Sequence, residues 1–503
     1  MLPNSKLNPV SLRDSTLSQL PGNIARPTYH RSRTTSSLVH IGAGAFNRSH
    51  LAVYLDDLLT LGEEERWGEF GIGLLPADKA LHDGLAQQDY LYGLMLMDTG
   101  EETYRVVGSL TGHIYAPDDP EGVLARLTAP ECAIVSLTVT EGGYFIEDST
   151  GRIQLEHPDL RHDLEHPAAP RTWLGFVTEA ADRRMQQGRA PFTLLSCDNV
   201  HANGSVARKS LLAFAEARNS ALAKWIETNI AFPNSMVDRI TPRTTDENRA
   251  TILEKFNVLD RVPVVGEPFR QWVLEDNFAS GRPAFEKAGV EITTDVASYE
   301  KMKMRLLNGG HLTLAFLGDL LGFTYVSEAT LDTQMRQLLI AFMAEVQPTV
   351  PRLPGIDLND YSATLVKRFS NIAIRDQVAR ICSEGCAKIT KFITPSLTDL
   401  LRSGRPSPCV SLVVAGWLHY LRGTDENGRP MLMADAMIGI MKPFIASGCS
   451  NARLALTVPS LFGDLAATHP RFVTEVQADL DQLRNQGVRA IIAHVLEKAP
   501  SAP

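Results

Sequence analysis

The feature that most constrains the fold is an apolar run, Leu38-Val-His-Ile41, that passes directly into Gly42-Ala-Gly44. Residues 51–61 follow with apolar side chains at helical spacing. Strand, glycine turn and helix in this order open a βαβ unit, in which glycines let the backbone approach a pyrophosphate at a helix N-terminus. A second strand-like run, Phe70-Gly-Ile-Gly-Leu-Leu75, leads into helical spacing through Leu85. Residues 133–139 and 192–197 are further β-rich apolar runs, and a helical stretch from Gly204 to Glu216 follows the second. Such runs read as parallel strands covered on both faces, which predicts an α/β domain with its chemistry at the strand ends.

The glycine fingerprint is incomplete, because Asn47 stands where a third glycine is usual. A plain tight turn is therefore the competing reading. The strand and helix order around Gly42 and Gly44 favours a dinucleotide. Selection of NAD uses an acid after the second strand, and Pro76-Ala77-Asp78 offers Asp78. The alternative for Asp78 is a cap on the next helix.

A chain of 503 residues exceeds what one hydrophobic core organises, so two domains are expected. From about Tyr299 helical spacing dominates, through Leu321 and over 331–346, 376–391 and 410–421. The boundary is placed near residue 293: residues 1–293, with a polar lead over 1–35, form the dinucleotide domain, and 294–503 form a mainly helical substrate domain. The 49 Lys+Arg against 58 Asp+Glu give a net charge of −9 with no single-sign block, which argues against nucleic-acid or anionic-membrane surfaces. The start lacks the basic and apolar stretches of a secretory signal, and no apolar window is long enough to span a bilayer. Six scattered cysteines without a CxxC fit a reducing cytoplasm. No metal-ligand spacing is seen; Cys382 and Cys386, one helical turn apart, read as core.

The most informative segment is Tyr299-Glu-Lys-Met-Lys303-Met-Arg-Leu-Leu-Asn308-Gly-Gly-His311, followed by a strongly apolar continuation. On an α-helix, with Lys303 at zero, Glu300 falls at about 60°, His311 at about 80° and Asn308 at about 140°. A polar cluster on a helix about to be buried is either fully hydrogen-bonded, as in an interdomain network, or functional. Oxidising a secondary alcohol requires a base for the hydroxyl proton while a hydride leaves the same carbon. Lys303 suits that role when burial lowers its basicity. Asn308 can donate to the developing oxyanion, His311 can orient it, and Glu300 can pass the proton outward. The Tyr299-x-x-x-Lys303 spacing also occurs in short-chain dehydrogenases, but it lies far beyond the glycine turn and without that family's glycine pattern.

Taken together, these residues resemble the polyol-specific long-chain dehydrogenase family, and within it the mannitol-oxidising branch. The resemblance rests on Gly42-Ala-Gly-Ala-Phe-Asn-Arg-Ser-His50, Thr138-Val-Thr-Glu-Gly-Gly-Tyr144, Ser196-Cys-Asp-Asn199 with Asn203-Gly204, and Phe232-Pro-Asn-Ser-Met-Val-Asp-Arg-Ile-Thr-Pro242. It extends through Glu267-Pro-Phe, Gln271-Trp-Val-Leu-Glu-Asp276, the Lys-x4-Asn-x2-His of Lys303, and Asp376-Gln-Val-Ala-Arg380. It implies an N-terminal Rossmann-type domain, a mostly α-helical C-terminal domain, an active site in the interdomain cleft, no metal, and a monomer. It further implies hydride transfer between D-mannitol, or a related polyol such as D-arabinitol or sorbitol, and the ketose D-fructose. In that pattern Lys303 is the general base, Asn199 and Asn308 stabilise the oxyanion, and Glu300 relays the proton. Asp238, His311, Arg380 and Lys388 fall at substrate positions, and Gly42, Gly44, Phe46, Arg48, Asp78, Thr140 and Glu141 at NAD positions.

The chain departs from the pattern in three places: Ala77 replaces a second acid, Gly310 stands where Ser is common, and His201 replaces a usual Pro. Two rival functions remain. A fructuronate or tagaturonate reductase of the same family would use Arg380 and Lys388 to pair a carboxylate. A non-catalytic dinucleotide-sensing regulator would leave the Lys303 cluster unexplained.

Overall fold

Five short strands build the sheet that the glycine turn announces: β1 (Leu38–Ile41), β2 (Glu69–Gly73), β3 (Leu110–Tyr115), β4 (Ile134–Leu137) and β5 (Thr193–Ser196). They are all parallel, in the order β3-β2-β1-β4-β5. The order reverses at β1, so the crevice beyond the C-terminal ends of β1 and β4 is the switch point at which doubly wound sheets bind ligands. Alternation along the strands explains why both faces are apolar. Val39, Ile41, Val135, Leu137 and Leu194 enter one core cluster with Leu124, Phe176 and Leu211. Leu38, Ile134 and Leu195 enter a second with Leu51, Tyr54 and Leu58. The covering helices include α1 (Ala45–Ser49), α2 (Leu51–Thr60), α3 (Asp78–Ala86), α4 (Pro120–Thr128), α5 (Trp173–Gln186) and α6 (Asn203–Arg218).

The computed structural model describes residues 8–63, 65–147 and 150–499, so the first seven residues of the expected polar lead lie outside it. The chain divides into two units, Met1–Val296 and Ala297–Pro503. From residue 10 the lead is not merely polar surface. Val10–Ser11 pairs in parallel with Val258–Leu259, and Leu12, Leu20 and Ile24 are buried with Leu91, Tyr104 and Val265. Two further three-stranded sheets complete the first unit. Tyr92–Asp98 lies between antiparallel Glu101–Val107 and parallel Val264–Gly266. Gln271–Glu275 lies between antiparallel Ser235–Asp238 and parallel Glu291–Thr293.

Among the described residues of the second unit no strand is formed. Its helices include α7 (Val296–Met302), which begins at the division, α8 (Gly309–Leu320), α9 (Thr333–Val346), α10 (Val378–Cys382) and α11 (Pro408–Tyr420). The helix expected over 376–391 is broken after α10. Glu384 takes a left-handed conformation at φ 52°, and the 434–436 segment bonds the exposed backbone: Glu384 N–H donates to Ala434 O at 2.7 Å and Cys386 N–H to Asp435 Oδ2 at 2.8 Å. No described helix is long and apolar enough to cross a membrane.

Candidate active site

In the first unit, the glycine turn touches the end of β4. Gly42 has φ 90°, and a Cβ there would lie 2.1 Å from Thr138 O, so only glycine fits. Gly42 N–H donates to Ile72 O at 2.8 Å, and Thr138 Oγ1 donates to Gly42 O at 2.7 Å. The buried His40 completes the junction, with its ring nitrogens 2.7 Å from Ser136 Oγ and 2.8 Å from Thr138 Oγ1. Burial pushes this imidazole down to about 3, so it is neutral. At Gly44, the N-cap of α1, an added Cβ would meet only Gly42 O within 4 Å. The backbone is therefore open at the point where a pyrophosphate must approach.

The other expected cofactor residues divide into two kinds. Thr140 and Glu141 are exposed at the sheet end, with Thr140 at φ 63°, ψ 168°, a region that non-glycine residues rarely occupy. Asp78 begins α3, and its Oδ2 accepts the Leu75 N–H at 2.8 Å, so the carboxylate also pins the turn after β2. Phe46 stacks on His50 at 5.0 Å. Arg48 is buried: its Nη1 donates to Val262 O at 2.5 Å and its guanidinium lies 5.2 Å from the Tyr92 ring. That side chain braces the underside of α1. The residues present thus fit a dinucleotide, with an open Gly44 backbone and a carboxylate after β2.

Asn199 is exposed three residues beyond β5, and Asp238 is the buried last residue of its strand, opposite Gln271. Sequence reasoning missed the residue that ties Asn199 to the Thr140 loop. Asp198 is buried and accepts N–H bonds from Val139 at 3.1 Å and Thr140 at 2.8 Å and the Tyr144 hydroxyl at 2.6 Å. It stands in the Ser196-Cys-Asp-Asn199 stretch, where an acid at a buried strand end was the available signal.

In the second unit, the Lys303 segment is not an ordinary helix. α7 and α8 are joined by a π-turn over Lys303–Asn308, whose hydrogen bonds run i→i+5. This corrects the angular reading. A π-turn accommodates one extra residue, so Asn308, five positions on, sits one turn above Lys303, and His311 one turn further. Glu300, Lys303, Asn308 and His311 then occupy the positions that i−3, i, i+4 and i+7 take on an α-helix, a single stripe. Glu300 and Lys303 are buried, and the His311 ring packs 4.1 Å from Phe369. Arg305 anchors the turn, donating to Thr349 O and Asp399 Oδ2, both at 2.6 Å.

Arg380 and Lys388 come together at α10 instead. Arg380 is held by Asp376 through three bonds of 2.7–2.9 Å. Lys388 Nζ donates to Ile381 O at 2.9 Å, closing the end of α10, and burial lowers its basicity. All six cysteines are buried thiols, and among the described residues no three His, Cys, Asp or Glu side chains gather as metal ligands.

Residues 36–287 match the mannitol dehydrogenase Rossmann domain, and residues 295–484 match the mannitol dehydrogenase C-terminal domain. The chain belongs to the mannitol dehydrogenase family. Other members of the family resemble it along most of their length. A mannitol 2-dehydrogenase of Phaeosphaeria nodorum is 43% identical, over 96% of this chain and 85% of that protein. One from Aspergillus fumigatus is 41% identical, over 95% and 98%. Among solved structures, the Pseudomonas fluorescens mannitol 2-dehydrogenase in ternary complex with NAD and D-mannitol is similar at 42% identity and a TM-score of 0.85, covering 97% of this chain and all of that one. A substrate-free D-sorbitol dehydrogenase is similar at 38% identity and a TM-score of 0.90, over 96% and 99%. A Rossmann-type domain followed by a mostly helical one is the architecture of this family.

Proposed function

We propose that this protein is an NAD-dependent mannitol 2-dehydrogenase, oxidising the C2 hydroxyl of D-mannitol to give D-fructose and running in reverse on the ketose. The observation that carries the chemical part is the π-turn, which aligns Lys303 with Asn308 and His311 on one polar stripe of a buried helix. NAD, held by Gly42, Gly44, Phe46, Thr140, Glu141 and the Asp78 carboxylate with Arg48 bracing the turn beneath, supplies the hydride acceptor.

The protein's own part is acid–base. Lys303, neutral, takes the hydroxyl proton, and Asn308 and Asn199 donate hydrogen bonds to the oxygen as its charge grows. His311 orients the same oxygen and Glu300, one turn before Lys303, carries the proton outward. Asp238 binds the polyol hydroxyls, together with Arg380 and Lys388. A keto-acid reductase is disfavoured by a specific feature: Asp376 already pairs the Nε and Nη2 edge of Arg380, offsetting the charge that would attract a substrate carboxylate.

The test is reduction of fructose, xylulose and fructuronate by the purified protein with NADH and with NADPH. Fructose with NADH should be the best pair. Fructuronate as the preferred substrate would replace this reading with the reductase one.

A further inference from the structure

The end of β2 carries a cation as well as an acid. Lys79 follows Asp78 at the start of α3, and β3 ends alongside, because β2 and β3 are parallel with Gly73 opposite Tyr115. Lys79 Nζ lies 2.7 Å from Oδ2 of Asp118, in the turn after β3, 3.5 Å from Asp83 Oδ1, and 5.4 Å from the centre of the Tyr115 ring. The lysine is thereby drawn along the β3 side, while Asp78 is turned back onto Leu75 N–H.

This arrangement bears on a question the sequence leaves open. With Ala77 in place of a second acid, Asp78 alone stands against a 2′-phosphate on the adenosine ribose. A lysine next to that acid is the residue type that a 2′-phosphate recruits. Unrestrained, Lys79 would offset the selectivity that Asp78 provides.

We infer that Asp118 is a cofactor-specificity residue, which holds Lys79 away from the ribose position and adds a second negative charge beside it. The inference rests on the dinucleotide reading above. Both partners are half exposed, so the pair contributes through where it keeps the lysine and not through stability. Removing the Asp118 charge leaves Lys79 with only the more distant Asp83 and lessens repulsion of a phosphate. One unit charge at about 4 Å in water changes an equilibrium by a factor of about five, which bounds each of the two effects.

The experiment is equilibrium binding of NADH and NADPH, followed by quenching of protein fluorescence, to wild type, Asp118→Asn, Lys79→Ala and the double variant, with the kcat/KM ratio for the two cofactors in parallel. Asp118→Asn should tighten NADPH relative to NADH by roughly fivefold to tenfold. Lys79→Ala alone should leave the ratio near wild type, since the lysine is already held away, and the double variant should keep only the part of the gain that comes from the lost Asp118 charge. An unchanged ratio in Asp118→Asn, or a gain that survives intact in the double variant, overturns the inference. Wild-type protein that binds neither dinucleotide overturns the proposed function on which it rests.

Discussion

Lys303 carries the heaviest assignment in the proposed chemistry. As the general base it must be neutral when it takes the proton, so polyol oxidation should rise with pH through an ionisation below the roughly 10.4 of a free lysine. Lys303→Ala should lower turnover by roughly 10²–10⁴-fold with cofactor affinity nearly unchanged, read by steady-state kinetics and NADH titration. Retained turnover with weakened polyol binding would make it an anchor, and Glu300 or His311 the base. Asp198 makes a different kind of demand. Its removal strands the Val139 and Thr140 backbone N–H groups and leaves the buried Tyr144 hydroxyl with Ser196 Oγ alone, so Asp198→Ala should cost on the order of 3 kcal/mol and loosen the Thr140 loop. A lowered melting temperature together with weaker NADH binding is the expected result; a loss of stability with NADH affinity intact would make Asp198 purely structural. The sequence singled out Lys303 because a charged residue before a long apolar run is conspicuous. It did not single out Asp198, whose neighbours come from residues more than fifty positions away.

At the scale of elements, the strand and helix that flank Gly42 were legible because a four-residue apolar run cannot cover itself and the following period is helical. β3 was not. Its Thr111 and His113 break the apolar pattern because they have local partners: Thr111 Oγ1 donates to Glu69 O at 2.9 Å, and His113 packs over the glycines of β2, where a Cβ at Gly71 would meet its ring at 2.8 Å. The π-turn was also invisible as such, since an i→i+5 pattern has no residue signature. The spacing Lys-x4-Asn-x2-His, one residue too long for an α-helical stripe, was its trace. The turn is held in part by close packing at its exit: a Cβ on Gly309 would lie 2.9 Å from Phe342 Cζ of α9. Gly309→Val should therefore overpack this contact, costing roughly 1–3 kcal/mol and shifting α8 against Lys303, so that both melting temperature and turnover fall. If neither changes, the alignment does not depend on that packing.

For the molecule as a whole, pH acts through buried groups of opposite kinds. His40, His50 and His113 are each pushed down to about 3 by burial, so the unfolded chain takes up their protons as pH falls below about 6.5 while the folded one does not; their contribution to stability is present above 6.5 and is lost through acid toward 3. Glu69 works in the other direction. It begins β2 fully buried, near Asn47 of α1, and burial pushes its carboxyl up to about 8. The folded state then holds a proton that the unfolded state releases at about 4.5, so stability falls as pH rises between those values and is lowest above 8. Asp56, Asp198 and Asp260, also raised by burial, act in the same sense. Glu69→Gln isolates the effect, because the amide keeps the shape and cannot ionise. Below pH 4.5 the variant and wild type should melt at similar temperatures. Above 8 the variant should be more stable, by up to about 5 kcal/mol if the whole shift is expressed. Melting curves of both proteins at intervals from pH 5 to 9 should therefore diverge steadily with rising pH. Parallel curves would mean that Glu69 is solvated or paired in solution and does not hold a proton in the folded state.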